Sequence, residues 1–500
     1  MTPLLLVSLL AAHAADDPWA DASTRDLHGY VRAVSLDVRG VVPSAEELAA
    51  IEAAGTLDDA TLDAWLASAA FTDIVVARHQ ERFWNVLELN VMNSRRLSRR
   101  NGIYFVSSRA NAMRGQRQLH CGEAEAEVDA ENRPLSWTDN GDGSISEGWV
   151  WVSPYWDPDN PVQVCALDAQ TQLVSDAGVD CSTPSAQSDP TCGCGPDLQW
   201  CMPVAVEDEI EAAFESDIDK RVRQMLDSDA PYSTIFSGNT LYVDGASAHF
   251  FRHLAAFRPD DYESPVDIAT LPELDYADRT LTPVALPDHH AGVLTAPGWL
   301  LRHQTNRGRA NRFYGGFLCS EFLPTESAPA STDIDALPTP NLQVRDGCLD
   351  CHTRLEPWAA YWGRWAQAGA VHLPADTHPI FDDDCVNCRN SCSDVCDDHY
   401  ITEAGHPDET AWVGTFQPYA FLLHDDAANP GAGPLAWVER ARTDGSLAGC
   451  AVRQTTDWLL HATPDDAAVG DWSDAFSADE DYRSLVRAVV TSPAYWGGVQ

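Results

Sequence analysis

The sequence predicts a mainly α, multi-domain helical protein interrupted by a disulfide-rich irregular insertion. Three observations predict it. Apolar residues recur at helical spacing toward both ends of the 500-residue chain. Six of the fourteen cysteines crowd between Cys121 and Cys201, in a stretch rich in Pro, Gly, Asp and Ser. A further dense group, Cys385, Cys388, Cys392 and Cys396, sits in CVNCRNSCSDVC.

The chain opens MTPLLLVSLLAAHAADDPW, where a short apolar run ends in Ala12-His13-Ala14, the small-x-small pattern of a cleavage site. We expect a signal peptide over residues 1–14, although its start lacks Lys and Arg. No later run reaches the roughly 18 to 20 apolar residues of a membrane span, so no integral membrane segment is expected. A periplasmic or secreted location follows, and there disulfides are the default state of cysteine.

From 24 to 95 the pattern is helical. Leu27, Tyr30, Val31 and Val34 mark a first helix, ended by a turn through Gly40 and Pro43. Ser44 and Glu47 then form a capping box before AEELAAIEAAG. Leu62, Trp65 and Leu66 mark a third helix, and Phe71, Ile74, Val75, Phe83, Val86 and Leu87 a longer fourth. The insertion, 121–204, follows this N-terminal helical domain, 15–120. Within it, TDNGDGSISEGW fits part of a calcium loop at Asn140, Asp142, Gly143, Ser144 and Ile145. Thr138 and Trp149, however, stand where the first and last carboxylates belong, which makes calcium a weak expectation beside a polar turn.

Helical spacing resumes with Ile210, Phe214, Ile218, Val222 and Met225 in a central helical domain, 205–345. Its His289, His290 and His303 lack ligands at fixed spacing and are expected to be packing or surface histidines. A Pro-bearing linker with Pro324, Pro329, Pro338 and Pro340 leads to GCLDCHTRLEP. The last segment, 401–500, returns to helix.

The motif Cys348-Leu-Asp-Cys351-His352 carries the chemistry. Two thioether bonds to one porphyrin edge need two cysteines about one helical turn apart, with a histidine beside them to ligate iron. In a shuffled chain of this composition CxxC arises roughly 0.4 times and CxxCH roughly 0.01 times; the histidine therefore makes the signal specific. We read 346–400 as a small c-type haem-binding module holding covalent haem c through Cys348, Cys351 and His352, with the Cys385–Cys396 group expected in disulfides. A zinc corner completed by that group is the metal alternative. Leu355, Trp358, Trp362 and Trp365 are expected to form one apolar face after Pro357, read as the first position of a new helix. Arg345, Arg354 and Arg364 are expected to meet haem propionates or stay solvated. No Met follows the motif, so His372 or His378 is the candidate sixth ligand.

RAVSLDVRGVVPSAEELAAI resembles the start of the helical domain of planctomycete-type cytochrome c-like exported proteins, whose Leu-Asp-x-x-Gly-x-x-Pro-x-x-x-Glu pattern is occupied by Leu36, Asp37, Gly40, Pro43 and Glu47. HHAGVLTAPGWLLRHQTNRGRANRFYGGFLC with CLDCHTRLEP is similar to the module of unknown function in that group, and LAGCAVRQTTDWLLHA with DYRSLVRAVVTSPAY to its closing helical domain. The resemblance implies a mainly helical exported protein with a single c-type haem site, and it assigns no catalytic residue. It leaves out the insertion and the Cys385–Cys396 group.

Cys319 and Cys450 are the only cysteines outside a cluster, so we expect them to pair. A formal charge of -44, with Lys220 the only lysine, repels nucleic acid and suits a basic redox partner protein. The expected function is electron transfer by an exported monohaem c-type cytochrome-like protein. The alternatives are a haem-free disulfide-stabilised surface or carbohydrate-binding protein using Trp-rich loops such as GWVWVSPYW, and a haem oxidoreductase of unknown substrate.

Overall fold

The computed structural model describes residues 25–84, 87, 95–100, 104–107, 121–122, 124–139, 145–257, 264–322, 339–423, 425–461 and 466–497. The expected signal peptide, the calcium-loop positions Asn140, Asp142, Gly143 and Ser144, and Pro324, Pro329 and Pro338 lie outside the described residues. The protein is mainly α with small sheets, in two units. One joins the segment up to Ala77, Asp229–Tyr232 and the segment from Ala448; the other comprises Arg78–Ser228 and Ser233–Leu447.

In the first unit, Asp26 caps the helix Leu27–Arg39 by accepting from the Gly29 amide, and Tyr30, Val31, Val34 and Val38 form its buried stripe. Gly40 ends it in the left-handed conformation, φ 68°, which only glycine adopts without strain. Ser44 and Glu47 make the expected capping box of Ala45–Ala54. Glu47 also accepts from Arg39 at 2.8 Å and from the Trp65 indole at 3.1 Å; the Arg39 hydrogen bond is the main reason its carboxyl falls to about 2. Asp37 accepts from the Tyr495 hydroxyl, and Tyr30 stacks on Trp496 at 3.8 Å. Asp37, Gly40 and Glu47 thus each have a structural task, binding the first helices to Tyr482–Val490 and Pro493–Gly497.

The second unit is built around the 24-residue helix Val204–Asp227. Its buried Ile210, Phe214, Ile218, Val222 and Met225 follow the predicted stripe. Phe83, Phe236, Trp299, Phe313, Phe317 and Trp437 form an adjoining aromatic core, with Phe83 4.8 Å from Phe317 and Phe313 4.9 Å from Trp437. The helix Ala69–Phe83 stops short of the expected Val86 and Leu87: Trp84 takes a positive φ of 48° and breaks it.

The insertion is more ordered than its composition suggested. A five-stranded sheet runs Trp149–Val152, Val162–Cys165, Tyr104–Ser107, Arg96–Arg100, Met202–Pro203, with two parallel and two antiparallel pairings. WVWV and VQVC supply the β-branched and aromatic residues strands favour, and each is only four residues long. The six insertion cysteines pair within their group: Cys121–Cys165, Cys181–Cys192 and Cys194–Cys201. The Trp-rich loop mostly points inward. Tyr155 stacks on His249 at 3.7 Å and Trp156 meets Phe105 edge-on, leaving Trp151 exposed. Among the described residues, no single helix is long and apolar enough to cross a membrane.

Candidate functional site

Gly347, at φ 77°, turns the chain into the helix Leu349–Ala359, of which Cys348 is the N-terminal cap residue. Cys348 and Cys351 are both half-buried, and among the described residues they carry the only free thiols. The Cys351 thiol donates to the Phe322 carbonyl at 3.3 Å. The other twelve cysteines, Cys319 and Cys450 included, are disulfide-bonded.

His352 is held by its own helix. Glu356, one turn on, places Oε1 against Nδ1. A carboxylate can only accept, so Nδ1 carries the proton and Nε2 retains its lone pair. The same Oε1 accepts from Arg307 Nε at 2.7 Å, reaching over from the helix Asn306–Phe317. A cleft of about 350 Å3 opens beside this pair, lined also by Asn306, Asn341, Gln343 and Phe421.

The aromatic flank is real but divided. Trp358, half-buried, stacks on Trp437 at 4.6 Å with Arg440 over its other ring contact at 4.8 Å, and Tyr314 stacks on Phe322 at 4.3 Å. Trp362 and Trp365 are core residues, the former donating to the Leu294 carbonyl at 2.9 Å. Pro357 does not start a new helix; it lies inside Leu349–Ala359. The carbonyl left without its amide is that of Thr353, an exposed residue, and water can satisfy it. Arg364 is neither solvated nor at the motif. It is buried, donates to the His378 carbonyl and the Tyr419 hydroxyl, and lies 4.9 Å over Phe416. Arg354 is exposed and Arg345 half-buried.

The candidate sixth ligands are already engaged. His372 stacks on His289 at 3.9 Å and meets Trp365 edge-on, and burial lowers it to about 4. His378 lies against His399 and bonds Thr377. His290 and His303 are packing histidines, as expected: His290 bonds Thr295, and His303 meets the Phe83 carbonyl at 3.1 Å. Burial pushes them down to about 3 and 4.

The Cys385–Cys396 group forms two nested disulfides, Cys385–Cys396 and Cys388–Cys392, packed with Tyr400 and Phe416. Sulfurs so bonded offer no thiolate, which removes the second ligand pair a zinc corner would need. Among the described residues, no group of three or more His, Cys, Asp or Glu is arranged to hold a metal ion. A haem iron asks less of the chain, because the porphyrin supplies four ligands and the protein one or two. Two free thiols on one helical turn beside an imidazole with a free Nε2 fit that donor set.

Glu356 and Arg307 were missed in the sequence, although the four-residue step from His352 to Glu356 is a readable signal. Arg309 was missed too. Fully buried, it donates to the carbonyls of Leu300, His303, Ala366 and Gly369 and to Asn306 Oδ1, holding the segment after the motif helix in place. Compared with known proteins, the chain matches no family model, and no curated protein or solved structure is significantly similar to it.

Proposed function

We propose that this is an exported monohaem c-type cytochrome-like protein that transfers electrons, with Cys348 and Cys351 as the thioether cysteines and His352 as the axial ligand. One observation carries the reading: of fourteen cysteines, only these two remain thiols, on the first turn of a helix and directly before a histidine whose Nδ1 is occupied. Haem, when bound, supplies a one-electron Fe(III)/Fe(II) couple. The chain's part is to attach it, orient the imidazole through Glu356 and present aromatic surface at Trp358. Disulfides support an oxidising compartment, and the net charge of -44 favours a basic redox partner. His372 or His378 as sixth ligand would have to leave its present stack.

The test is an absorption spectrum with a pyridine haemochrome assay, on protein exported from a host competent for cytochrome c maturation, beside a Cys351→Ala variant. A c-type band that weakens or shifts in the variant is the expected result. A colourless parent would sink the proposal and favour the haem-free surface-protein reading.

A further inference from the structure

We infer that Glu356 is a positioning residue for His352 that lowers the reduction potential of the bound haem, and that Arg307 is its counterweight; the inference rests on the haem reading above. The geometry is a relay of three charged or polar groups. His352 Nδ1 donates to Glu356 Oε1, and Arg307 Nε donates to the same oxygen at 2.7 Å. The side chains of His352 and Glu356 are 19% and 17% exposed, whereas Arg307 is 51% exposed. The carboxylate is therefore shielded from water where it meets the imidazole, and its cation is the solvated member.

An anionic acceptor draws on the Nδ1 proton and moves electron density toward Nε2. A ligand made more basic in this way favours the more highly charged iron, which is the oxidised state. The carboxylate also fixes the Nδ1–H tautomer, without which Nε2 would hold a proton and could not ligate. Arg307 withdraws part of the charge Glu356 delivers. Removing Glu356 and removing Arg307 must then act with opposite signs, which loss of packing alone would not produce.

The experiment measures midpoint potentials of the haem-loaded full chain and of its Glu356→Gln and Arg307→Gln variants. Glu356→Gln keeps the side-chain shape and is expected to favour the ferrous state about tenfold, an upward shift of about 59 mV for one electron. Arg307→Gln is expected to shift the potential downward by less, because the cation is half in water. An unchanged potential in Glu356→Gln, or shifts of the same sign in both variants, would overturn the inference while leaving covalent haem intact. A parent without a c-type band overturns the haem reading and this inference with it. A readout independent of haem comes from imidazole 15N shifts of His352 in the haem-free chain at mildly alkaline pH. The parent should show the Nδ1–H tautomer and Glu356→Gln a mixture; equal spectra would count against the relay.

Discussion

Cys348 and Cys351 are separated by two residues, and so are Cys385 and Cys388. The first pair keeps its thiols on a helical turn; the second is bonded outward, to Cys396 and Cys392, with Cα separations of 5.2 and 4.9 Å. Spacing alone therefore assigns no chemistry to a CxxC. What differs is the neighbourhood. The second pair lies in a short, Trp-free stretch of turns where two further cysteines fold back within bonding distance, and its sulfurs become part of a small core with Tyr400 and Phe416. The first pair has a histidine, a carboxylate and an aromatic flank for neighbours.

The contrast can be broken most severely at the arginine that holds the intervening segment. Arg309→Met should cost at least about 3 kcal/mol, since several buried carbonyls lose their donor at roughly 1–3 kcal/mol each. A denaturant midpoint within error of the parent would show that the segment between the two pairs does not depend on it. Next in size, a Cys385→Ser, Cys396→Ser double variant should lose about 2–4 kcal/mol. The Cys348→Ser, Cys351→Ser double variant should lose less than about 1 kcal/mol in the haem-free chain, because neither sulfur is bonded or fully buried. Equal losses in thermal unfolding would mean that the two pairs play the same part. Thiol counting sharpens the comparison without mutation. Alkylation of the denatured, unreduced, haem-free chain should modify two cysteines per chain, and peptide mapping should find both in GCLDCHTR.

The smallest effect concerns the locked histidines. Burial holds His249, His290 and His303 at about 3, 3 and 4. As pH falls below about 6.5, the unfolded chain takes up protons that the native chain refuses, and stability falls at up to ~1.4 kcal/mol per pH unit for each histidine. Glu211, raised to about 7 by burial and then by Glu207, works in the other direction. The native state binds its proton first, so its contribution is present in acid and lost as pH rises through about 7. Between about 4.5 and 6.5 the two partly cancel. His290→Gln should flatten the acid loss and Glu211→Gln should steepen it, read as urea midpoints from neutral to mildly acid pH; the reverse order would contradict the assignment.

Much of this architecture was legible. The capping box at Ser44, the stop at Gly40, the stripe of the Val204–Asp227 helix and the closure of the insertion cysteines among themselves all follow from local rules that tertiary context did not override. The sheet was not legible, because its strands are two to five residues long and RLSRR carries no apolar alternation. Arg309 and Arg364 were hidden for another reason: an arginine in sequence looks solvated, and only the fold supplies the carbonyls and aromatic faces that let it be buried. At the motif, the residue types were readable, while the His352–Glu356–Arg307 relay needed a second helix brought alongside.

The five local disulfides span 44, 11, 7, 11 and 4 residues, and this fixes an order of events during synthesis and export. Each can close as soon as its second cysteine emerges. The three in the insertion are complete before Gly347 leaves the translocation machinery, and the nested pair comes later. When Cys348 and Cys351 emerge, Cys319 alone among the earlier cysteines has no partner from its own neighbourhood. Miswiring of this chain thus reduces to a single window, the capture of Cys319 by a motif thiol, and a reductant or escort acting on that short segment would suffice to guard the whole assembly.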